Sequence, residues 1–151
     1  MTLATNSEYE VSTDPARLDM AVIHEFLTQS YWAQNIPRNV VEKSIRHSLC
    51  FGVYHERQQV GFARVVTNFA TFGYLADVFV LPEHRSRGIA KILLRTILDH
   101  ADLQGLRRLL LATHDAHGLY AQFGFKALAR PDDFMSIHRP DVHAADNQPP
   151  P

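Results

Sequence analysis

Cysteine is nearly absent from this 151-residue chain, in which Cys50 is the single example. One thiol cannot form an intrachain disulfide, and a lone cysteine suits a reducing compartment. No apolar stretch approaches the roughly 20 residues that cross a bilayer, and the polar, mixed segment Met1–Glu10 has no secretory leader pattern. We therefore expect a soluble, cytoplasmic protein that has no membrane partner.

Neither sign of charge predominates in the sequence. The 15 Lys and Arg residues nearly balance the 16 Asp and Glu residues, which leaves a net charge of -1 with histidine neutral. No run of Lys or Arg is long enough to follow a phosphate backbone, so nucleic acid is a poor default partner. The short basic clusters at 84–87 and 107–108 must take their meaning from their positions.

Apolar residues make up 46% of the chain, which is enough for one domain with a sizeable core. Their order predicts an α+β fold, a sheet flanked by helices, as a single domain over residues 1–138. Residues 139–151 end in three prolines and are predicted to be an unstructured tail. The predicted strands are 9–12, 49–55, 59–67, 72–81, 108–112, 125–129 and 134–138. The predicted helices are 15–30, with Asp14 as N-cap and Pro15 as first helical residue, and 39–46, 88–103 and 116–123.

One segment carries most of the chemical information. A predicted strand stops at Pro82, a basic loop follows, and Gly88 opens a long amphipathic helix. A helix N-terminus presents unpaired N–H groups and a partial positive charge, and so favours phosphate. Gly88 and Ala90 are small enough for close approach, while Arg85 and Arg87 add positive charge. The spacing matches neither a P-loop nor a dinucleotide fingerprint, because Gly88 is the only glycine in the loop.

Two motifs resemble those of the GNAT superfamily of N-acetyltransferases. Residues 85–90, Arg-Ser-Arg-Gly-Ile-Ala, follow a Val-x-Pro and resemble the superfamily's pyrophosphate-binding pattern Arg/Gln-x-x-Gly-x-Gly/Ala. Residues 116–125 resemble its Ala-x-x-x-Tyr-x-x-x-Gly-Phe segment. With Tyr31-Trp32, 60–65 and 76–80 they look like a bacterial branch of the superfamily. The resemblance covers roughly residues 49–125 and implies a mixed, mostly antiparallel sheet, splayed in the middle around an acyl-CoA cleft.

The resemblance also implies a set of ligand-binding residues. Acetyl-CoA would be the co-substrate, with its pantetheine arm paired to the backbone of Val78, Phe79 and Val80. The Tyr120 hydroxyl would protonate the departing thiolate. The pyrophosphate would lie on the loop amides, with Lys91 at the edge of a set that contains Arg85, Ser86, Arg87, Gly88, Ile89 and Ala90.

The residues offer several candidates for the base that removes a proton from the acceptor amine. An alkyl ammonium has a pKa near 10 and must lose a proton before it can attack. Asp77, His114 and Asp115 are candidate bases, and relay through water to solvent is an equal alternative. Asp77 lies in an apolar strand, where a carboxylate is costly unless it is hydrogen-bonded or functional, so a structural pairing with Arg64 is as well supported as catalysis.

The pocket that binds the acceptor is predicted to be formed in part by the loop that contains Tyr31 and Trp32. Tyr31 and Trp32, together with Arg64 and His114, are expected to line the substrate pocket. No cysteine or helical His-x-x-x-His accompanies His114, so no metal is expected. We expect transfer to a small primary amine. A non-catalytic acyl-CoA-binding or sensor module, a longer acyl donor and a protein N-terminus as acceptor remain alternatives, and a homodimer stays open.

Overall fold

A computed structural model describes residues 2–5 and 8–144 of the chain. In that part six strands form one sheet in the order of the sequence, and every neighbouring pair is antiparallel except the last, β5 with β6. This confirms the predicted mixed, mostly antiparallel sheet. The strands are β1 Thr2–Thr5, β2 Tyr9–Ser12, β3 Leu49–His55, β4 Gln58–Thr67, β5 Phe72–Val80 and β6 Arg108–Leu111.

Four α-helices accompany the sheet: α1 Met20–Thr28, α2 Arg38–Arg46, α3 Ile89–Asp99 and α4 His117–Ala121. Successive strand residues point to opposite faces, so the sheet separates two apolar layers. Phe51 on β3 and Leu93 on α3 belong to the larger layer, whereas Phe62 on β4 packs with Ile23 and Val41 of α1 and α2. None of the helices in the described ranges is long and apolar enough to cross a membrane.

The β3–β4 hairpin has a shorter turn than the sequence predicts. His55 pairs with Gln58, which leaves only Glu56 and Arg57 as turn residues, with φ values of 50° and 72°. Two successive left-handed residues match the right-handed twist of the flanking strands. The register of the hairpin is therefore set by this two-residue turn.

Two predicted helices are shorter than expected because the chain caps itself again inside each one. Asp14 caps a 3-10 turn at Pro15–Arg17, and α1 begins only after Asp19, whose carboxylate accepts the N–H groups of Ala21 and Val22. The second of these helices, α3, ends at Asp99, whereas the sequence predicted that it would continue to residue 103. His100 is extended, and its Nδ1 accepts the N–H of Asp102, which starts a separate 3-10 turn.

Both predicted C-terminal strands, 125–129 and 134–138, are wrong: these segments pair with no strand in the described part of the chain. Their apolar spacing suits a strand, but Met135 and Ile137 are 97% and 86% exposed, and the Arg108 guanidinium lies over the Phe134 ring. The prediction also missed β1, which is short and gains its order by pairing with β2. Of the predicted tail, 139–144 contains hydrogen-bonded turns and 145–151 lies outside the described residues.

The buried hydroxyl of Tyr54 is predicted to destabilise the fold. Its hydroxyl is buried and finds no hydrogen-bond partner among the described residues, and burial raises the pKa of Tyr54 to about 12. An unsatisfied buried hydroxyl costs free energy, so Tyr54→Phe should raise the free energy of unfolding by about 1 kcal/mol in urea titrations. A loss of similar size would contradict this assignment, because it would mean that the hydroxyl has a partner.

Candidate active site

The site begins where β5 and β6 separate. Their parallel pairing covers only Phe72–Leu75 against Arg108–Leu111, and β5 then continues along β4 to Val80 without β6 beside it. A bulge accompanies this separation. Two β5 residues, Asp77 and Val78, lie between successive pairs with β4, and Asp77 is left-handed at φ 56°. A bulge bends its strand, and beyond Leu75 the edge of β5 that faced β6 has none of the described strands beside it; we call this unpaired stretch of the sheet the gap.

The backbone of β5 supplies polar groups to this gap. The N–H of Leu81 donates to the Val60 carbonyl on β4 at 2.8 Å. Since backbone groups alternate along a strand, Val78 and Val80 direct theirs away from β4, toward the gap. The Val80 carbonyl accepts the Arg85 Nε–H at 2.9 Å. The predicted pairing of the Phe79 backbone with pantetheine does not fit this alternation, because the Phe79 carbonyl lies toward Gly61 on β4. The Phe79 side chain is buried and stacks on Phe26 with ring centroids 4.1 Å apart.

The loop between β5 and α3 is shaped to hold an anion. Ser86 and Gly88 are left-handed, at φ 63° and 76°, with Arg87 between them. Within residues 2–5 and 8–144 no acceptor takes the N–H groups of these three residues, and α3 has no side-chain cap. When successive residues alternate between left- and right-handed backbone conformations, their unpaired N–H groups converge in a concave nest that attracts anions. The dipole of α3 adds to the positive potential of this nest. A Cβ built on Gly88 meets nothing within 4 Å, so the nest is open.

The side chains of the predicted loop residues have different surroundings. Arg85, Arg87 and Lys91 are exposed, and Arg87 lies 3.8 Å from the Glu8 carboxylate. Ile89 is 2% exposed and belongs to the core, so it can offer only its backbone amide to a ligand. The loop therefore joins main-chain donors to a rim of cationic side chains.

Tyr120 lies on α4 and is 9% exposed, with its ring edge-on to Phe125 at 5.7 Å. Burial raises the pKa of the Tyr120 hydroxyl above its ordinary value, and the neighbouring Tyr31 and Asp115 raise it further. The hydroxyl is therefore protonated at neutral pH and can donate a proton.

The loop after α1 bridges the two sides of the gap. On the β6 side, Tyr31 stacks on His114 with centroids 4.3 Å apart, and its hydroxyl accepts the His114 backbone N–H at 3.2 Å. On the β5 side, the Trp32 indole N–H donates to Asp77 Oδ1 at 2.9 Å. The two aromatic rings meet edge to face, and both are more than 40% exposed. They form an aromatic wall beside the opening.

Asp77 makes a second contact, the one with Arg64 that the sequence raised as an alternative to catalysis. Its Oδ2 accepts the Arg64 Nε–H at 2.9 Å, and Arg64 Nη1 donates to Ser48 Oγ at 3.1 Å. The nearby Cys50 thiol is buried, which raises its pKa to about 12 in spite of the Arg64 charge. Nothing in the sequence indicated Ser48 as a partner of Arg64. Trp32 as a donor to Asp77 was signalled only by the general need of a buried indole N–H for an acceptor.

The structure thus joins five of the predicted residues through direct contacts: Tyr31, Trp32, Arg64, Asp77 and His114. Tyr120 is close enough to Tyr31 for the two side chains to interact electrostatically. The predicted phosphate loop lies at the start of α3. Asp115, the other candidate base, is exposed in the loop after β6. In the part of the chain that the structure describes, no group of three or more His, Cys, Asp or Glu side chains is placed to hold a metal ion.

A splayed sheet with an amide nest at the following helix defines a class of acyltransferase. Residues 18–125 match the sequence model of the acetyltransferase (GNAT) family, and the chain belongs to that family. A Gibberella zeae protein, an acetyltransferase by name, is 37% identical over 141 residues and covers 78% of each chain.

Solved structures agree with this assignment. A Xanthomonas campestris pv. campestris protein of the GNAT family, an acetyltransferase by name, is 48% identical with a TM-score of 0.90, over 93% of this chain and 100% of that one. The fold is also shared with N-acetylglutamate synthase from Neisseria gonorrhoeae, solved with coenzyme A and L-arginine. It is 20% identical with a TM-score of 0.68, over 87% of this chain and 30% of that one.

Proposed function

We propose that this acetyltransferase moves the acetyl group of acetyl-CoA to a primary amine of a small molecule in the cytoplasm. Transfer is direct, in a ternary complex of enzyme, acetyl-CoA and acceptor. The observation that carries the proposal is the nest of unpaired amides at Ser86–Gly88, placed at the end of a strand whose backbone faces an open gap.

The amide nest and the gap beside β5 fit two parts of a CoA thioester, the pyrophosphate and the pantetheine arm. The pyrophosphate lies on the amides of residues 86–90, with Lys91 at the edge, because main-chain donors and a helix dipole suit a doubly charged pyrophosphate. The Arg85 amide, predicted as part of this set, already donates to the Pro82 carbonyl, so Arg85 offers only its side chain. The pantetheine amides extend β5 by pairing with the backbone of Val78 and Val80. A protein of the same fold from N. gonorrhoeae has been solved with coenzyme A, which supports coenzyme A as the kind of ligand.

The reaction then needs an electrophile, a neutral amine and an acid. The Val78 amide polarises the thioester carbonyl, and the amine nitrogen forms a bond to the carbonyl carbon. As the tetrahedral intermediate collapses, the carbon–sulfur bond breaks and Tyr120 delivers its proton to sulfur. The proton lost by the amine leaves through His114, Asp115 or water, and the Tyr120 phenolate regains a proton from solvent.

A panel of primary amines tests the proposal by release of the CoA thiol from acetyl-CoA. We expect thiol release that depends on the amine and saturates with at least one member of the panel. Binding of acetyl-CoA with no release for any small amine or N-terminal peptide would favour the sensor module. Preferential release from a longer acyl donor would leave the chemistry in place but change the assigned donor.

A further inference from the structure

We propose that Asp77 is a positioning residue and not the general base, an inference that rests on the proposed transfer to an amine. Together with Arg64 it holds the Trp32 indole, and so fixes the aromatic wall of Tyr31 and Trp32 beside the gap. The wall is thereby a specificity-determining surface for the acceptor.

The hydrogen bonds of Asp77 leave it poorly suited to accept a proton. One carboxylate oxygen accepts the Trp32 indole N–H and the other accepts the Arg64 guanidinium, both at 2.9 Å. The side chain of Asp77 is only 10% exposed and that of Arg64 only 17%. An amine that approached Asp77 would have to displace either the indole N–H or the guanidinium N–H from its carboxylate, because both oxygens are already hydrogen-bonded.

The backbone of Asp77 explains why the carboxylate lies at this point. Asp77 has a φ of 56°, a left-handed conformation that aspartate and asparagine tolerate better than other residues with a side chain. The same residue forms the bulge that turns Val78 toward the gap. One residue thus connects the strand that would hold the thioester with the loop that would hold the acceptor.

The Tyr31–Trp32 loop is fixed at both ends, which separates this arrangement from an ordinary surface ion pair. Trp32 is tied to β5 through Asp77, and Tyr31 is tied through His114 to the chain that follows β6. Ser48 completes the set by accepting an N–H of Arg64. Loss of the indole contact should therefore loosen the acceptor wall and leave the phosphate loop untouched.

Kinetics distinguish positioning from base catalysis through the pair Asp77→Asn and Trp32→Phe. Asparagine keeps an acceptor oxygen but removes the charge, whereas phenylalanine keeps a ring but removes the N–H. If Asp77 positions Trp32, both variants should raise the KM of the amine about tenfold, the effect of losing one hydrogen bond to a charged group. The KM of acetyl-CoA and the shape of the pH profile of kcat/KM should be unchanged, and the double variant should be no worse than either single one.

A base role gives the opposite pattern and would overturn the proposal. Asp77→Asn would then lower kcat by a factor of about 10² or more and remove one limb of the pH profile, while Trp32→Phe would stay close to wild type.

A spectroscopic test needs no acceptor, so it fails or succeeds independently of the proposed function. Trp32 is the only tryptophan, and its indole therefore gives one N–H signal in ¹⁵N NMR spectra and all of the tryptophan fluorescence. Asp77→Asn and Asp77→Ala should shift that signal upfield, speed its exchange with solvent and increase acrylamide quenching. Asp102→Asn, which removes an exposed carboxylate beyond α3, is the matched control and should change none of these. An unchanged indole signal in a folded Asp77→Ala protein would overturn the proposal.

Discussion

Replacing Gly88 with glutamate should weaken binding of CoA by a factor of about 100 or more, because a carboxylate would lie against the pyrophosphate in the amide nest. Gly88→Ala should weaken binding less. The open space around the Gly88 Cβ means that neither side chain collides with the protein. Loss of affinity would then come from repulsion between the new side chain and the pyrophosphate, and from backbone strain at φ 76°. Isothermal titration calorimetry with CoA measures the effect.

Gly105 supplies the control for that strain. It has φ 79°, nothing lies within 4 Å of its Cβ, and it follows the C-terminal end of α3, whereas the loop precedes the N-terminal end. Gly105→Ala and Gly105→Glu should therefore cost stability comparable to the Gly88 variants while leaving CoA affinity unchanged. Wild-type affinity in Gly88→Glu would show that the pyrophosphate lies elsewhere.

Tyr120→Phe should lower kcat by a factor of about 10² to 10³, the usual contribution of a general acid, with no change in the Kd of acetyl-CoA. The variant keeps the ring and its packing on Phe125, so the protein should remain folded. Rapid-quench or steady-state thiol release gives kcat, and calorimetry gives Kd. Tyr74→Phe, in the paired part of β5, is the control and should retain wild-type kcat.

The pH dependence follows from the raised pKa of Tyr120. The protonated hydroxyl is the active form, so rising pH removes the acid only as it passes through a pKa above the ordinary value of 10.0. The rate should accordingly increase through neutrality as the amine loses its proton, and fall only above pH 10. A fall between pH 7 and 9 that disappears in Tyr120→Phe would contradict the raised pKa, whereas wild-type kcat in that variant would remove Tyr120 from the mechanism.

The phosphate loop could be predicted from sequence because its determinants are local. A strand that ends at Pro82, a glycine that can take positive φ and an amphipathic helix are adjacent in the chain, and local sequence decides all three. The same holds for the β3–β4 hairpin, whose strands were predicted to within one residue. The left-handed state of Ser86 was not predicted, since serine seldom adopts it.

The C-terminal segment and the contacts of Asp77 depend on residues that are distant in the sequence, so the local pattern did not predict them. The segment at 134–138 has the spacing of a strand, but a strand exists only with a partner, and none of the described strands pairs with it. Trp32 and Asp77 are 45 residues apart, so their hydrogen bond requires the loop after α1 to fold over β5. The cost of burying Asp77 was evident from the sequence, but the two donors that offset it could not both be identified.

The central claim is that the main-chain amides around Gly88 bind the diphosphate of coenzyme A. Calorimetry of the folded wild-type protein with CoA tests it most directly. We expect one molecule bound per chain and saturation well below millimolar ligand. If CoA and acetyl-CoA both give no heat of binding at millimolar concentration, the assigned site and the proposed reaction are wrong.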